Sequence, residues 1–493
     1  MTIQYSKYLF IAFYICTFCS CKKYLEEPNK LQTDIKTVDQ LQALIDNAPL
    51  FSYEGNNYTA AFSTDDTEIE MEAYQKYPTS VSLDALHYYI WDVSNVINKG
   101  YDDLWNNEFK KIFTANVVLV DVDNVQGTLE QKNAVKANAL FIRAMSYWAL
   151  VNHYCLPYAP QNLKSFGLPL KSSTIYTEPL NRSTLEDTYN FILQDVRQAK
   201  ELLAAGDVED RMRWRVSEKA IYAFLSRYYL FTNNYQEALR AADLALTSSV
   251  ANLVDFNTLG RGTPAVYTNP NITLSYSILN DWAANRFLYW NEFYYTRYSY
   301  NASQWYNPSK QLLAIYDKEN DLRFKNFFIE NGGRRFNVIS PAQYRYTTFY
   351  DGRYLVSGPT VAEVLLNKAE AAARLNEVPL SIQTLNSLRL KRYKHYTDLG
   401  ATSSADALHK ILLERRRELP FSFRWGDIRR FSVNETTEDD VILERTFYKV
   451  LDASVDLTKI EKYSLPLKSL RYAVPISAIE IAASQGQIEQ NKY

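Results

Sequence analysis

Residues 217–246 read SEKAIYAFLSRYYLFTNNYQEALRAADLAL. Tyr222, Leu225, Ser226 and Tyr229 recur at three- and four-residue spacing, and beyond Asn233 and Asn234 so do Tyr235, Ala238, Ala242 and Ala245. That period places each set on one face of a helix, so the stretch predicts two helices joined at the asparagine pair. Ser226 and the alanines are small, and small side chains let two helix axes approach closely.

The same grammar extends in both directions. Upstream, Ala137, Leu140, Phe141, Ala144, Trp148 and Val151 form an apolar stripe, with Lys136, Asn138 and Arg143 off it. After the Pro179 turn, Thr184 offers an N-cap with Glu186 and Asp187 in the first turn. Tyr189, Ile192, Leu193, Val196, Ala199 and Leu203 then continue at helical period. Downstream, residues 362–371 and the leucines 385, 388 and 390 predict another helix pair, and residues 404–419 a helix that Pro420 stops. The 217–246 unit fits the tetratricopeptide pattern. The expected fold is therefore mainly all-α, a scaffold of stacked helical pairs that bury a continuous core only through their neighbours.

Between about 250 and 350 the helical period fades and Asn, Thr, Ser, Gly and Pro rise, which predicts long loops and short strands. Aromatic residues concentrate there. Tyr276 to Tyr306 holds 12 in 31 positions, against 14% aromatic overall, so this segment is either tucked into the scaffold or displayed for binding. A pyranose has apolar C–H faces edged by hydroxyls, so ring faces beside Asn, Asp and Arg suit it. Trp282, Trp290, Tyr294, Tyr295 and Trp305 are the candidate platforms, among Asn280, Asp281, Asn285, Arg286, Asn291 and Arg297. A second aromatic knot, Tyr88, Tyr89 and Trp91, reads as core packing.

Composition narrows the function. The chain has 493 residues with 54 Lys+Arg against 56 Asp+Glu, a formal charge of −2, which gives no global basic field for nucleic acid. The four histidines are scattered without an HExxH pair, and no phosphate-binding glycine loop is present. Asp65 and Asp66 with Glu68, Glu70 and Glu72 lack the glycine turn and oxygen spacing of a calcium loop, so the run reads as a solvated face. No catalytic residue, metal or cofactor is expected. In the Arg-rich stretch 414–430, Glu and Asp interleave the arginines. Arg424 and Arg429 are therefore expected to fork onto Glu414 or Glu418 and to act structurally.

The amino terminus has the shape of an export signal. Lys7 precedes an apolar run from Tyr8 to Phe18, too short to span a bilayer, and Ser20 precedes Cys21 in the pattern of a bacterial lipoprotein. Cys21 is the expected lipidation site. Cys16 and Cys19 would leave with the signal, so Cys155 would be the one thiol without lipid and no disulfide framework is possible.

At this point the sequence resembles the SusD/RagB family, surface lipoproteins that Bacteroidetes use with a TonB-dependent transporter to capture nutrients. The resemblance rests on Cys21 with Tyr24-Leu25-Glu26-Glu27-Pro28, Trp91 with Asn116, and Lys136 to Tyr147. It continues through Gly167-Leu168-Pro169-Leu170, the helical unit above, Pro308-Ser309, Asp321-Leu322-Arg323 and Ala362 to Leu366. Its most specific parts are Glu414 to Leu419, Arg424 to Arg430, Tyr472 to Ile476 and Gln490 to Tyr493. Ser422-Phe423 replaces the family's usual Glu-Gly, and Gly426 stands where an aromatic is common, so the ligand need not be starch. The resemblance implies a signal peptide over 1–20, an N-terminal SusD-like helical region over 21–230, and a C-terminal region over 231–493 that includes the aromatic segment 250–350. It also implies a non-enzymatic protein of the cell outer membrane, anchored by lipid and facing outward, which binds an oligosaccharide and delivers it to a SusC-like transporter. The same architecture with a peptide cargo, as in RagB-like relatives, is the first alternative. A secreted glycoside hydrolase is the second.

Overall fold

The computed structural model describes residues 35–493 apart from 57, 99, 101, 176, 204–211, 248–250, 260, 270–271, 280–289, 301–305, 331–343 and 347–353. At 56, 261–269, 272–279 and 300 it describes backbone only. The scaffold is mostly helical. Its long elements are α1 (Val38–Ile45), α2 (Asp103–Asp121), α3 (Leu129–Tyr154), α4 (Leu185–Leu202), α5 (Glu218–Phe231), α6 (Tyr235–Leu246), α7 (Val361–Arg374), α8 (Val378–Arg389), α9 (Ser404–Glu418) and α10 (Arg424–Phe431). Among the described residues no helix is long and apolar enough to cross a membrane.

The helix starts follow from capping. Thr184 accepts from the Asp187 amide and the Asp187 carboxylate reaches back to the Thr184 amide, a reciprocal cap that satisfies two otherwise orphaned donors. Thr128 and Gln131 do the same for α3. The tight turns of the α5–α6 and α7–α8 pairs each carry an asparagine in the left-handed region, Asn233 at φ 59° and Asn376 at φ 64°. Asparagine tolerates that conformation better than any β-branched residue.

Packing runs α2 on α3, α3 on α4, α5 on α6, α6 on α7, and α7 on both α8 and α9. The buried alanines 238, 241, 242 and 245 form the close-packed face of α6. Bidentate arginines lock neighbours together. Arg143 forks onto Asp195 at 2.8 and 2.7 Å, joining α3 to α4, and Arg227 forks onto Glu363 at 2.6 Å twice, joining α5 to α7. Arg430 forks onto Glu370 at 2.6 and 2.7 Å, joining α10 to α7. Residues 60–96 share one core with residues from 306 to 474, so the early loops pack against the late helices.

Short strands fall in the expected 250–350 region, among them Tyr298–Tyr300, Phe328–Glu330 and Tyr344–Tyr346, and others lie outside it. Tyr53–Asn56, Tyr298–Tyr300 and Tyr354–Val356 form a three-stranded sheet with Tyr298–Tyr300 in the centre, parallel to the first and antiparallel to the last. A longer antiparallel hairpin, Leu443–Val450 with Val455–Leu465, follows α10. The alternation of Leu443 and Phe447 inward with Glu444 and Thr446 outward is its sequence signal.

Candidate ligand-binding site

An open cleft lies where the 65–72 loop, Ser309–Gln311 and the hairpin strand 442–446 meet, with a volume of about 660 Å³. Its wall begins at Asp65 and Asp66. Asp65 accepts a fork from Arg424, 2.7 Å on each oxygen, and Asp66 accepts from Arg416 at 2.7 Å and from the Phe421 amide at 2.8 Å. Burial raises the Asp65 carboxyl, but the Arg424 and Arg416 charges outweigh it and hold it at about 2. Burial raises Asp66 against the pull of Arg416. Ser309 joins the clamp, its amide donating to the Asp66 carbonyl at 2.6 Å and its hydroxyl to the Asp65 carbonyl at 2.7 Å.

Two sequence expectations are corrected here. Asp66 is buried and the Asp65 side chain is only 13% exposed, so both are arginine-held anchors and not part of a solvated face, while Glu68, Glu70 and Glu72 are more exposed. The arginines are structural, as read, but their partners differ. Arg424 takes Asp65, and Arg429 takes the backbone carbonyls of Asn152 and Cys155, with burial pulling it down to about 10. Glu414 instead receives Arg323, Arg389 and Arg417, and Glu418 receives Arg323 and Arg392. Spacing along a chain cannot choose among partners that distant in sequence.

Beyond the clamp the loop opens into the cleft. The Lys310 amide donates to Glu68 at 2.9 Å, and its ammonium stands 3.7 Å from Glu68 and 3.6 Å from Glu70. Arg445 forms the floor, donating to the carbonyls of Phe62 at 2.7 Å and Thr64 at 2.5 Å, with its guanidinium 3.7 Å over the Tyr89 ring and 4.7 Å over Trp91. Burial lowers its pKa to about 10, since its partners are carbonyls and not carboxylates. The Tyr89 hydroxyl accepts from the Ile69 amide at 3.1 Å, which fixes the loop against the knot. Tyr88, Tyr89 and Trp91 are all buried, as core packing requires.

The cleft thus presents carboxylates at Glu68, Glu70, Glu72 and Glu444, donors at Lys310 and Gln311, and apolar surface at Ile69, Met71 and Ile442. Such a set can hydrogen-bond a hydroxyl-rich ligand. Among the described residues no group of three His, Cys, Asp or Glu is placed to hold a metal.

Three of the predicted platforms lie outside this cleft's lining. Trp290, Tyr294 and Tyr295 are 9, 2 and 1% exposed, and their rings are taken up by packing. The Tyr294 hydroxyl donates to the Ala245 carbonyl at 3.1 Å, and the Tyr295 ring meets Phe141 edge-on at 4.9 Å. Trp282 and Trp305, with Cys21 and the signal segment, lie outside the described residues. Arg213 sews this stretch down through the carbonyls of Asn291 and Phe293, at 2.9 and 2.6 Å. Sequence reading missed Lys310, Gln311, Glu444 and Arg445; the outward positions of the 443–450 strand were the available signal for Glu444.

The chain matches a SusD-like family model described as starch-binding and associating with the outer membrane over residues 23–230, and a SusD family model over 285–493. No curated protein matches it. Among solved structures, a SusD superfamily protein from Bacteroides thetaiotaomicron is similar at 20% identity, covering 93% of this chain and 100% of its own, with a TM-score of 0.63. A SusD-like carbohydrate binding protein from Bacteroides vulgatus is similar at 19% identity, 92% and 97% coverage and a TM-score of 0.59. A laminarin binding SusD-like protein is similar at 16% identity, 92% and 99% coverage and a TM-score of 0.57.

Proposed function

This chain belongs to the SusD/RagB family, and on that premise we propose that it is an outward-facing lipoprotein of the outer membrane that binds an oligosaccharide and passes it to a SusC-like TonB-dependent transporter. The observation that carries the binding reading is the open cleft itself, with hydroxyl-matching acceptors and donors on clamped walls. Ring stacking is assigned to Trp282 and Trp305 on the sequence alone, since both lie outside the described residues. Trp305 stands close before Ser309 in sequence. The protein binds and delivers without cleaving, and Cys21 carries the lipid.

Calorimetric titration of the protein with laminarin-derived and malto-oligosaccharides tests this, with Lys310→Ala and Glu444→Gln as cleft variants. Binding by the wild type that weakens at least about fivefold in either variant is the expected result, each charge-assisted hydrogen bond contributing about 1.5–3 kcal/mol. Binding that neither variant disturbs refutes the cleft assignment. A β-barrel co-purifying from gently solubilised membranes, and acylation at Cys21 by mass spectrometry, test the delivery half. One observation favours a peptide or amino-sugar cargo as the second reading: four carboxylates on the cleft face one exposed ammonium, Lys310.

A further inference from the structure

A second concavity, of about 290 Å³, lies between α4, α5 and α6, with the opposite charge character. α4 contributes Arg197 and Lys200, α5 contributes Tyr222 and Tyr229, and α6 contributes Glu237 and Arg240. Three cations thus face one carboxylate in a chain whose formal charge is −2. Glu237 is engaged by Arg240 at 3.0 Å, and the nearby Asp243 is taken by Lys368 at 2.6 Å, so neither neutralises Arg197 or Lys200. Lys200 is held over the Tyr222 ring at 4.9 Å, with Lys219 at 5.9 Å, an arrangement that aims ammonium groups without discharging them. Tyr229 lies two turns further along the same face of α5, half-buried and edge-on to Tyr228 at 5.5 Å.

Position in the last turn of α4 explains Lys200 alone, through the helix dipole. It does not explain why Arg197 and Arg240, from different helices, converge on a concavity that also holds two tyrosines. We propose that this groove is a second binding site, for an anionic sugar unit. A carboxylate or sulfate would sit between the guanidinium groups and the C–H face of the pyranose against Tyr229. The volume suits one or two sugar rings, at the lower end of small-ligand sites of about 300–1,000 Å³. The choice of a sugar rests on the saccharide reading above; the choice of an anion rests on this groove alone.

The test is calorimetric titration of the whole protein with trigalacturonate, with triglutamate and maltotriose as comparisons, at about 0.03 M and about 0.3 M salt. Trigalacturonate is expected to bind and to weaken in the higher salt. The Arg197→Gln/Arg240→Gln double variant should lower its affinity by at least about tenfold, the loss expected for charge-assisted contacts. Both side chains are exposed, so the thermal midpoint should stay at the wild-type value. No binding by the wild type, or an unchanged affinity in the double variant, overturns the proposal. Triglutamate binding as tightly as trigalacturonate overturns the assignment to a sugar. The cleft variants Lys310→Ala and Glu444→Gln should leave trigalacturonate binding intact. A neutral glycan that fails to bind while trigalacturonate binds would sink the cleft reading and leave this one standing.

Discussion

Replacing Glu414 by Gln keeps its shape and removes its charge. In the structure this carboxylate is wholly buried and receives Arg323 at 2.5 Å, Arg389 at 2.9 Å and Arg417 at 3.0 Å. Burial alone raises its pKa, and the three guanidinium charges more than reverse that, holding it at about 2 against an ordinary 4.5. A difference of about 2.5 units corresponds to about 3 kcal/mol of folded-state stabilisation. Breaking a buried ion network by removing one partner independently gives about 3–5 kcal/mol. With an unfolding entropy of about 2.1 cal/mol/K per residue, a chain of this length loses about 1 °C per kcal/mol, so the thermal midpoint should fall by about 3–5 °C at neutral pH. The sign of the pH dependence follows from the lowered folded-state value. The contribution is complete above about pH 4.5 and is lost as the pH falls toward 2. Near pH 3 about one unit of the difference remains, so the gap between wild type and variant should narrow to about 1.4 kcal/mol. Scanning calorimetry of both proteins across that range reads it directly. A gap below about 1 kcal/mol at neutral pH, or one that does not shrink on acidification, refutes the argument.

Lys111 gives a pH dependence of the same sign in an alkaline window. It is fully buried against Glu108 at 2.6 Å, and burial lowers it to about 8 despite that partner. The unfolded chain binds the proton more readily between about pH 8 and 10.5, so folding stability should rise across that window. Lys111→Met should abolish that rise, and parallel stability–pH curves for the two proteins would disprove it. Tyr294→Phe removes one hydrogen bond to the Ala245 carbonyl, so it should cost about 1 kcal/mol in thermal unfolding and leave glycan affinity unchanged. Loss of glycan binding with unchanged stability would return Tyr294 to the ligand. Gly358→Ala places a Cβ 2.1 Å from the Tyr295 carbonyl oxygen and 2.7 Å from the Arg297 amide. Neither atom is free to swing away, so a loss of about 3 kcal/mol by denaturant titration is expected, and a neutral result would contradict the packing of this seam.

Periodicity and capping carried the helical scaffold. The asparagine turn at Asn233, the cap at Thr184 and the stop at Pro420 all lie where local chemistry places them, because each depends on residues within one turn. The loops were less legible for the same reason. Whether Tyr294 meets a ligand or the end of α6 is decided by residues some fifty positions away. Among the described rings of 276–306, Trp290, Phe293 and Tyr306 join one core and Tyr294 and Tyr295 the other, so these five serve packing. The acidic run misled because Asp65 and Asp66 are matched by arginines that spacing alone could not assign to them.

That clamp sets an order of events during synthesis. Asp66 and Arg416 are 350 residues apart, so at about 5–20 residues per second the first emerges from the ribosome roughly 20–70 s before its counterion exists. For that interval the early loop is a nascent tract whose destined interior is still unmade. Any stalled product ending before α9 would therefore keep this tract open to proteases, however well its first helices had formed.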